Sequence, residues 1–188
     1  MPVFTRSALF GVVLPALAAL VPLHAAASDK GNPEAKRIVA VGGTITEILY
    51  ALGAGERVIA RDSTSTYPAE AAQKPDVGYM RALSSEGVLA QKPDLILSED
   101  GAGPPDVIGI LKASEVPMVT IDTPPDAKAI AKKIEDVGAA VGLEGKAKAL
   151  ADNVDAELAS LSKDVAAVGD KKKRVLFVLS MAGGRIMA

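Results

Sequence analysis

The sequence has no cysteine, no tryptophan and a single histidine, and aromatic residues make up only 3% of it. Each shortage closes a class of chemistry. Without cysteine there is no structural disulfide, iron–sulfur cluster, cysteine-ligated zinc site or thiol nucleophile. Nor is there a cysteine to take a lipid after a leader segment. The one histidine, His24, falls in a stretch that reads as a removable leader, so the rest lacks the usual general base and the commonest nitrogen donor to metals. A Ser-His-Asp hydrolase is excluded. With so few aromatics, Ala, Val, Leu and Ile must build the core, and each of the three tyrosines calls for a reason.

Residues 1–27 read as a secretory signal peptide. Arg6 is their only charge, Ala8 to Leu23 is apolar but broken by Pro15 and Pro22, and Ala25-Ala26-Ala27 offers a small-residue cleavage site. The alternative is a membrane span, which needs about 20 apolar residues and suits two prolines poorly. The expected location is the periplasm, without a lipid anchor. Leaving out Arg6, 20 Lys+Arg face 23 Asp+Glu, a net of −3, with the signs interspersed. That pattern carries no nucleic-acid footprint. It suits an ordinary soluble surface, and a monomer is expected.

Along the chain, short apolar runs alternate with helical patterns. Arg37–Val41, Arg57–Ala60, Leu95–Ser98 and Pro117–Ile121 read as buried strands. Thr44 with Glu47 forms a capping-box pattern before an apolar stripe of Ile45, Ile48, Leu49 and Leu52, and Gly53 ends that helix. Short helices are expected after Pro68 and from Ser84, and another over Asp106–Ala113 with Val107, Ile108, Ile110 and Leu111 inward. Asp126 opens a further helix. This alternation predicts an α/β lobe over 28–143 with a mostly parallel sheet, because parallel neighbours need helical crossovers. Ligands of such sheets sit outside the carboxyl ends of the strands.

Residues 144–169 are different. Ala147, Leu150, Ala151, Val154, Leu158, Leu161 and Val165 recur at helical spacing over a helix of ~37 Å. Val175–Leu179 then reads as a fifth buried strand. A lone strand after so long a helix is expected to be the first of a second α/β lobe, 170–188, that is cut off.

The segment Asp62–Arg81 stands out. It holds Tyr67 and Tyr79, and the extended residue before Pro68 can aim a phenol out of the loop. Phenolate is a hard oxygen donor suited to ferric iron. The bland alternative is an exposed tyrosine resting on its proline.

The order of elements, with Ile38–Glu47, Leu52-Gly53, Tyr67-Pro68 and Glu86–Leu97 in register, resembles the N-terminal lobe of periplasmic substrate-binding proteins of ABC importers for haem, siderophores and cobalamin. The resemblance covers Arg37–Leu179. Within it, Asp62–Pro68, Val77–Leu83 and Gly101–Pro105 look most like the haem-binding branch. It implies two lobes joined by one long helix, haem as a transported ligand rather than a catalytic cofactor, and an ABC importer permease as partner. It implies that Tyr67 is an axial ligand to haem iron, as phenolate, and that Glu86 pairs with an arginine of the permease. Tyr79 and Met80 would line the pocket, or fill the lobe. Arg81 would hold a haem propionate, since guanidinium suits carboxylates, or lie solvated. Without the resemblance, Glu86 is an ordinary first-turn glutamate. Two rivals stand beside haem uptake. One is a ferric siderophore or cobalamin as cargo. The other is a secreted α/β enzyme using carboxylates Asp62 and Glu99.

Overall fold

The computed structural model describes residues 31–122, 124–169, 173–178, 180–182 and 185–187. The expected signal peptide, 1–27, lies outside them. Four parallel strands form one sheet in the order β2-β1-β3-β4: β1 (Ile38–Val41), β2 (Val58–Arg61), β3 (Leu95–Glu99) and β4 (Met118–Ile121). The α/β class with a parallel sheet is thus as expected. Among the described residues six α-helices surround or follow it: α1 (Gly43–Ala51), α2 (Ala69–Ala72), α3 (Ser85–Leu89), α4 (Pro105–Lys112), α5 (Ala127–Ala140) and α6 (Glu144–Ala167).

β1 is wholly apolar, and β3 is apolar up to Ser98-Glu99, because both faces are covered. Ile38, Ala40, Leu95 and Leu97 point into a core shared with α1, α5 and α6. Val39, Val41 and Ile96 point the other way, into a core with Val88 of α3 and Leu111 of α4. Asp126 caps α5 by accepting from the Ala129 amide at 2.8 Å, and Ser84 caps α3 from the Gly87 amide at 3.2 Å. Both caps follow from the sequence.

Three expectations are corrected. Thr44 does not cap α1. The helix starts at Gly43, with Gly42 at the cap and no side-chain cap bond, because the Thr44 hydroxyl is engaged across the sheet edge. Ile110 is 53% exposed, so α4 buries a narrower stripe, chiefly Leu111. Residues 173–178 are not strand, and Val175, Leu176 and Phe177 are exposed. An apolar run becomes a strand only where a partner strand satisfies its backbone, and none among the described residues lies beside it. The strands here are instead a hairpin, β5 (Ser180–Ala182) with β6 (Arg185–Met187), paired antiparallel. Leu179 lies outside the described residues.

The long helix α6 packs its first half on α5. Ala147 and Ala151 are buried there, whereas Leu161 and Val165 further along the same stripe are exposed. The close approach depends on Gly138 of α5, where an added methyl would overlap the Ala147 Cβ. Two opposing effects meet at Gly138→Ala. Helix propensity favours alanine by about 1 kcal/mol, while overpacking a tight contact costs about 1–3 kcal/mol. Overpacking wins, so Gly138→Ala lowers the urea midpoint; a raised midpoint would contradict this packing.

Candidate ligand-binding site

All four parallel strands end on the same edge, and their following segments collect there. Gly42-Gly43 follows β1, Asp62–Tyr67 follows β2, Glu99–Pro105 follows β3 and Asp122–Asp126 follows β4. The segments are stitched to one another by backbone bonds. The Ser63 amide donates to the Gly78 carbonyl at 2.9 Å, Gly103 to Met80 at 2.9 Å, and Leu83 to Gly103 at 2.9 Å. Tyr67, Tyr79, Met80 and Arg81 therefore belong to one connected rim. Glu86 sits next to it, exposed on α3.

Asp62 is the knot of this rim. Its side chain is buried and accepts four hydrogen bonds: Oδ1 from the Gly42 amide at 2.9 Å and the Ser65 hydroxyl at 2.7 Å, Oδ2 from the Thr64 amide at 3.0 Å and the Thr64 hydroxyl at 2.7 Å. The Thr46 hydroxyl of α1 then donates to Ser65 Oγ at 2.8 Å. Burial alone would push the Asp62 carboxyl up, but the two hydroxyls and two amides outweigh it and hold it below the ordinary carboxylate range. The Asp-Ser-Thr-Ser run carried this signal, since such residues turn the chain by bonding their own backbone.

Tyr67 lies at the far end of that loop. Its ring is 66% exposed and its hydroxyl has no hydrogen bond among the described residues. It lines a surface cavity of about 550 Å³ with Tyr50, Pro68, Glu47, Glu56 and Glu70. Burial, then Glu56 and Glu70, push the Tyr50 phenol up. Tyr79 is 47% exposed, while Met80 packs partly against the α3–α4 core. So Tyr79 faces outward and Met80 helps fill the lobe. Arg81 is exposed and has no ion pair among the described residues.

A second polar group at this edge escaped the sequence reading. Lys133 of α5 donates to Glu99 Oε1 and to Thr44 Oγ1, each at 3.0 Å, and Thr44 also bonds Glu99. Lys133 is 7% exposed. A cavity of about 300 Å³ opens beside it, lined by Glu47, Ile48, Pro124 and Ile130. No local pattern announces a contact between residues 34 and 89 positions apart. Asp62 thus has both oxygens filled by local donors, and Glu99 is held through Oε1 by Lys133 and Thr44. Among the described residues no three His, Cys, Asp or Glu side chains converge as a metal site.

The lowered Asp62 carboxyl has a pH consequence. Its folded value lies below the unfolded one, about 3.9. Its stabilisation is therefore complete above the unfolded value and is lost as pH falls through the folded one. Asp62→Asn is expected to lower stability at neutral pH and to flatten the loss of stability below about pH 4. Denaturant titrations of both proteins across the acid range check this; parallel curves would refute it.

Comparison with known proteins follows the same lines. Residues 38–188 match the family described as "Periplasmic binding protein". The solved structure of "Periplasmic heme-binding protein BhuT in complex with two hemes" is 37% identical with a TM-score of 0.75, over 80% of this chain and 59% of that chain. The "Uncharacterized ABC transporter substrate-binding lipoprotein YvrC" of Bacillus subtilis (strain 168) is 30% identical over 147 residues, 77% of this chain and 46% of its own length. A "Vitamin B12-binding protein" of Pectobacterium carotovorum subsp. carotovorum (strain PC1) is 32% identical over 106 residues, 56% of this chain and 36% of its own. The chain spans less than two thirds of each of these proteins. Because the family pattern takes in every strand of the sheet and the helices around it, the chain belongs to the periplasmic binding protein family.

Proposed function

We propose that this protein is a periplasmic haem-binding protein that delivers haem to an ABC-type importer, with Tyr67 as the axial ligand to the iron. The observation that carries the reading is Tyr67 itself, an exposed phenol without a hydrogen-bond partner among the described residues, on the edge where parallel sheets take their ligands. A single oxygen donor cannot hold a bare ion well. It suits an iron whose four equatorial positions are already filled, as in a porphyrin. Arg81, without an ion pair among the described residues, supplies a guanidinium for a propionate from the same rim, and the Tyr79 ring supplies apolar surface. Among solved structures, BhuT, named for haem, is 37% identical over 80% of this chain, and BtuF of Vibrio cholerae, named for vitamin B12, is 26% identical over 71%.

Delivery to a permease is supported by the name of YvrC, and Glu86 is the docking residue in this reading. The role is capture and handover, not catalysis. Residues 1–27 serve as a cleavable signal, α6 as the connector between lobes and 170–188 as the start of the second. YvrC is named a lipoprotein, but these 188 residues hold no cysteine to carry a lipid. No helix among the described residues is long and apolar enough to cross a membrane.

Cobalamin is the second reading, favoured by the vitamin B12-binding relative at 32% identity. Its corrin brings its own metal ligands and would not need the Tyr67 oxygen. Haemin titration of the full-length protein separates the two. Tyr67→Ala is expected to diminish the Soret shift and to weaken binding at least about tenfold, equivalent to ~1.4 kcal/mol. An unchanged Soret band and affinity would remove Tyr67 as the ligand.

A further inference from the structure

The Tyr67 ring is mostly in solvent, so packing around the side chain does not fix where its oxygen lies. The backbone of residues 62–67 must do so. That backbone is anchored to the start of α1 at two points. One is Asp62, which ties the Gly42 amide to Ser65 and Thr64. The other is the Thr46 hydroxyl, which donates to Ser65 at 2.8 Å from a fully buried position. Gly43 lets the loop lie close, since a Cβ there would come within 3.2 Å of the Thr64 carbonyl oxygen. Beyond Ser65, the Thr66 amide bonds the Thr64 carbonyl at 3.0 Å, and Tyr67 follows directly.

We infer that Asp62 and the Thr46–Ser65 pair are positioning residues for ligand coordination, setting the Tyr67 oxygen through the loop rather than by touching the ligand. The inference rests on the axial-ligand role proposed for Tyr67. It makes the β2–α2 loop a preformed arm, rigid before the ligand arrives. Partners that orient a ligating side chain affect metal affinity by about 10–100-fold when removed. They also change the metal–ligand bond itself, which loss of stability alone does not.

The test uses full-length protein loaded with haemin. It measures affinity by Soret titration and the iron–phenolate bond by its charge-transfer band and resonance Raman stretch. Tyr67→Phe is expected to abolish the phenolate signature. Asp62→Asn and the milder Thr46→Val are each expected to weaken haemin binding about tenfold and to shift or broaden that signature. Gly138→Ala, remote from the rim, serves as a destabilised control and leaves it in place. Thr46→Val keeps the test decisive if Asp62→Asn fails to fold. A folded Thr46→Val or Asp62→Asn protein with wild-type affinity and signature overturns the inference while leaving Tyr67 as ligand. If Tyr67→Phe retains the signature, the ligand assignment fails first and the inference falls with it.

Discussion

The site edge of this lobe depends on one buried carboxylate. An ionised group taken out of water costs several kcal/mol unless its lone pairs are satisfied, and Asp62 meets that condition with donors from three residues. The requirement works in both directions. Gly42, Thr64 and Ser65 must stay where they are for Asp62 to remain buried, and Asp62 fixes them in turn. The end of β2 is thereby bound to the start of α1. A polar loop that would otherwise sample many conformations becomes part of the lobe's rigid frame, and its exposed tyrosine projects from a fixed base.

Around that base the charges are divided. The cavity beside Tyr67 carries Glu47, Glu56 and Glu70, whereas the 77–83 turn presents Arg81. A dianionic porphyrin edge is repelled by the first wall and attracted to the second, which gives the proposed ligand a direction as well as a place. Lys133 adds a different constraint. Its pairing with Glu99 at 3.0 Å spans α5 and β3, and both side chains are largely shielded from water. Pairs of this kind often contribute little net stability, but removing one partner leaves an uncompensated charge. The bridge thus ties α5 to the end of β3.

Much of this was legible in the sequence for physical reasons. β1 and β3 declared themselves as apolar runs because the central strands of a parallel sheet bury both faces, while the edge strands β2 and β4 are only partly buried; Asp126 and Ser84 declared helix starts because their side chains bond the nearest amides. Thr44 misled because its position fits a cap equally well. Only the folded chain shows that its hydroxyl donates to Glu99 and accepts from Lys133, both far away in sequence. Asp62 was read only as a carboxylate in a polar loop and not as a buried acceptor, since burial is set by what α1 and Thr46 bring over it. Val175–Leu179 has the composition of a strand, yet composition does not supply a pairing partner. Ile110 shows the same limit on α4, where apolar identity did not decide which face met the core.

In the reading proposed here the rim around Tyr67 takes a porphyrin rather than another macrocycle. Equilibrium dialysis of the full-length protein against equimolar haemin and cyanocobalamin tests it most directly. Haemin is expected to be retained and not displaced by the corrin. Retention of cyanocobalamin with haemin left free in the dialysate would contradict it.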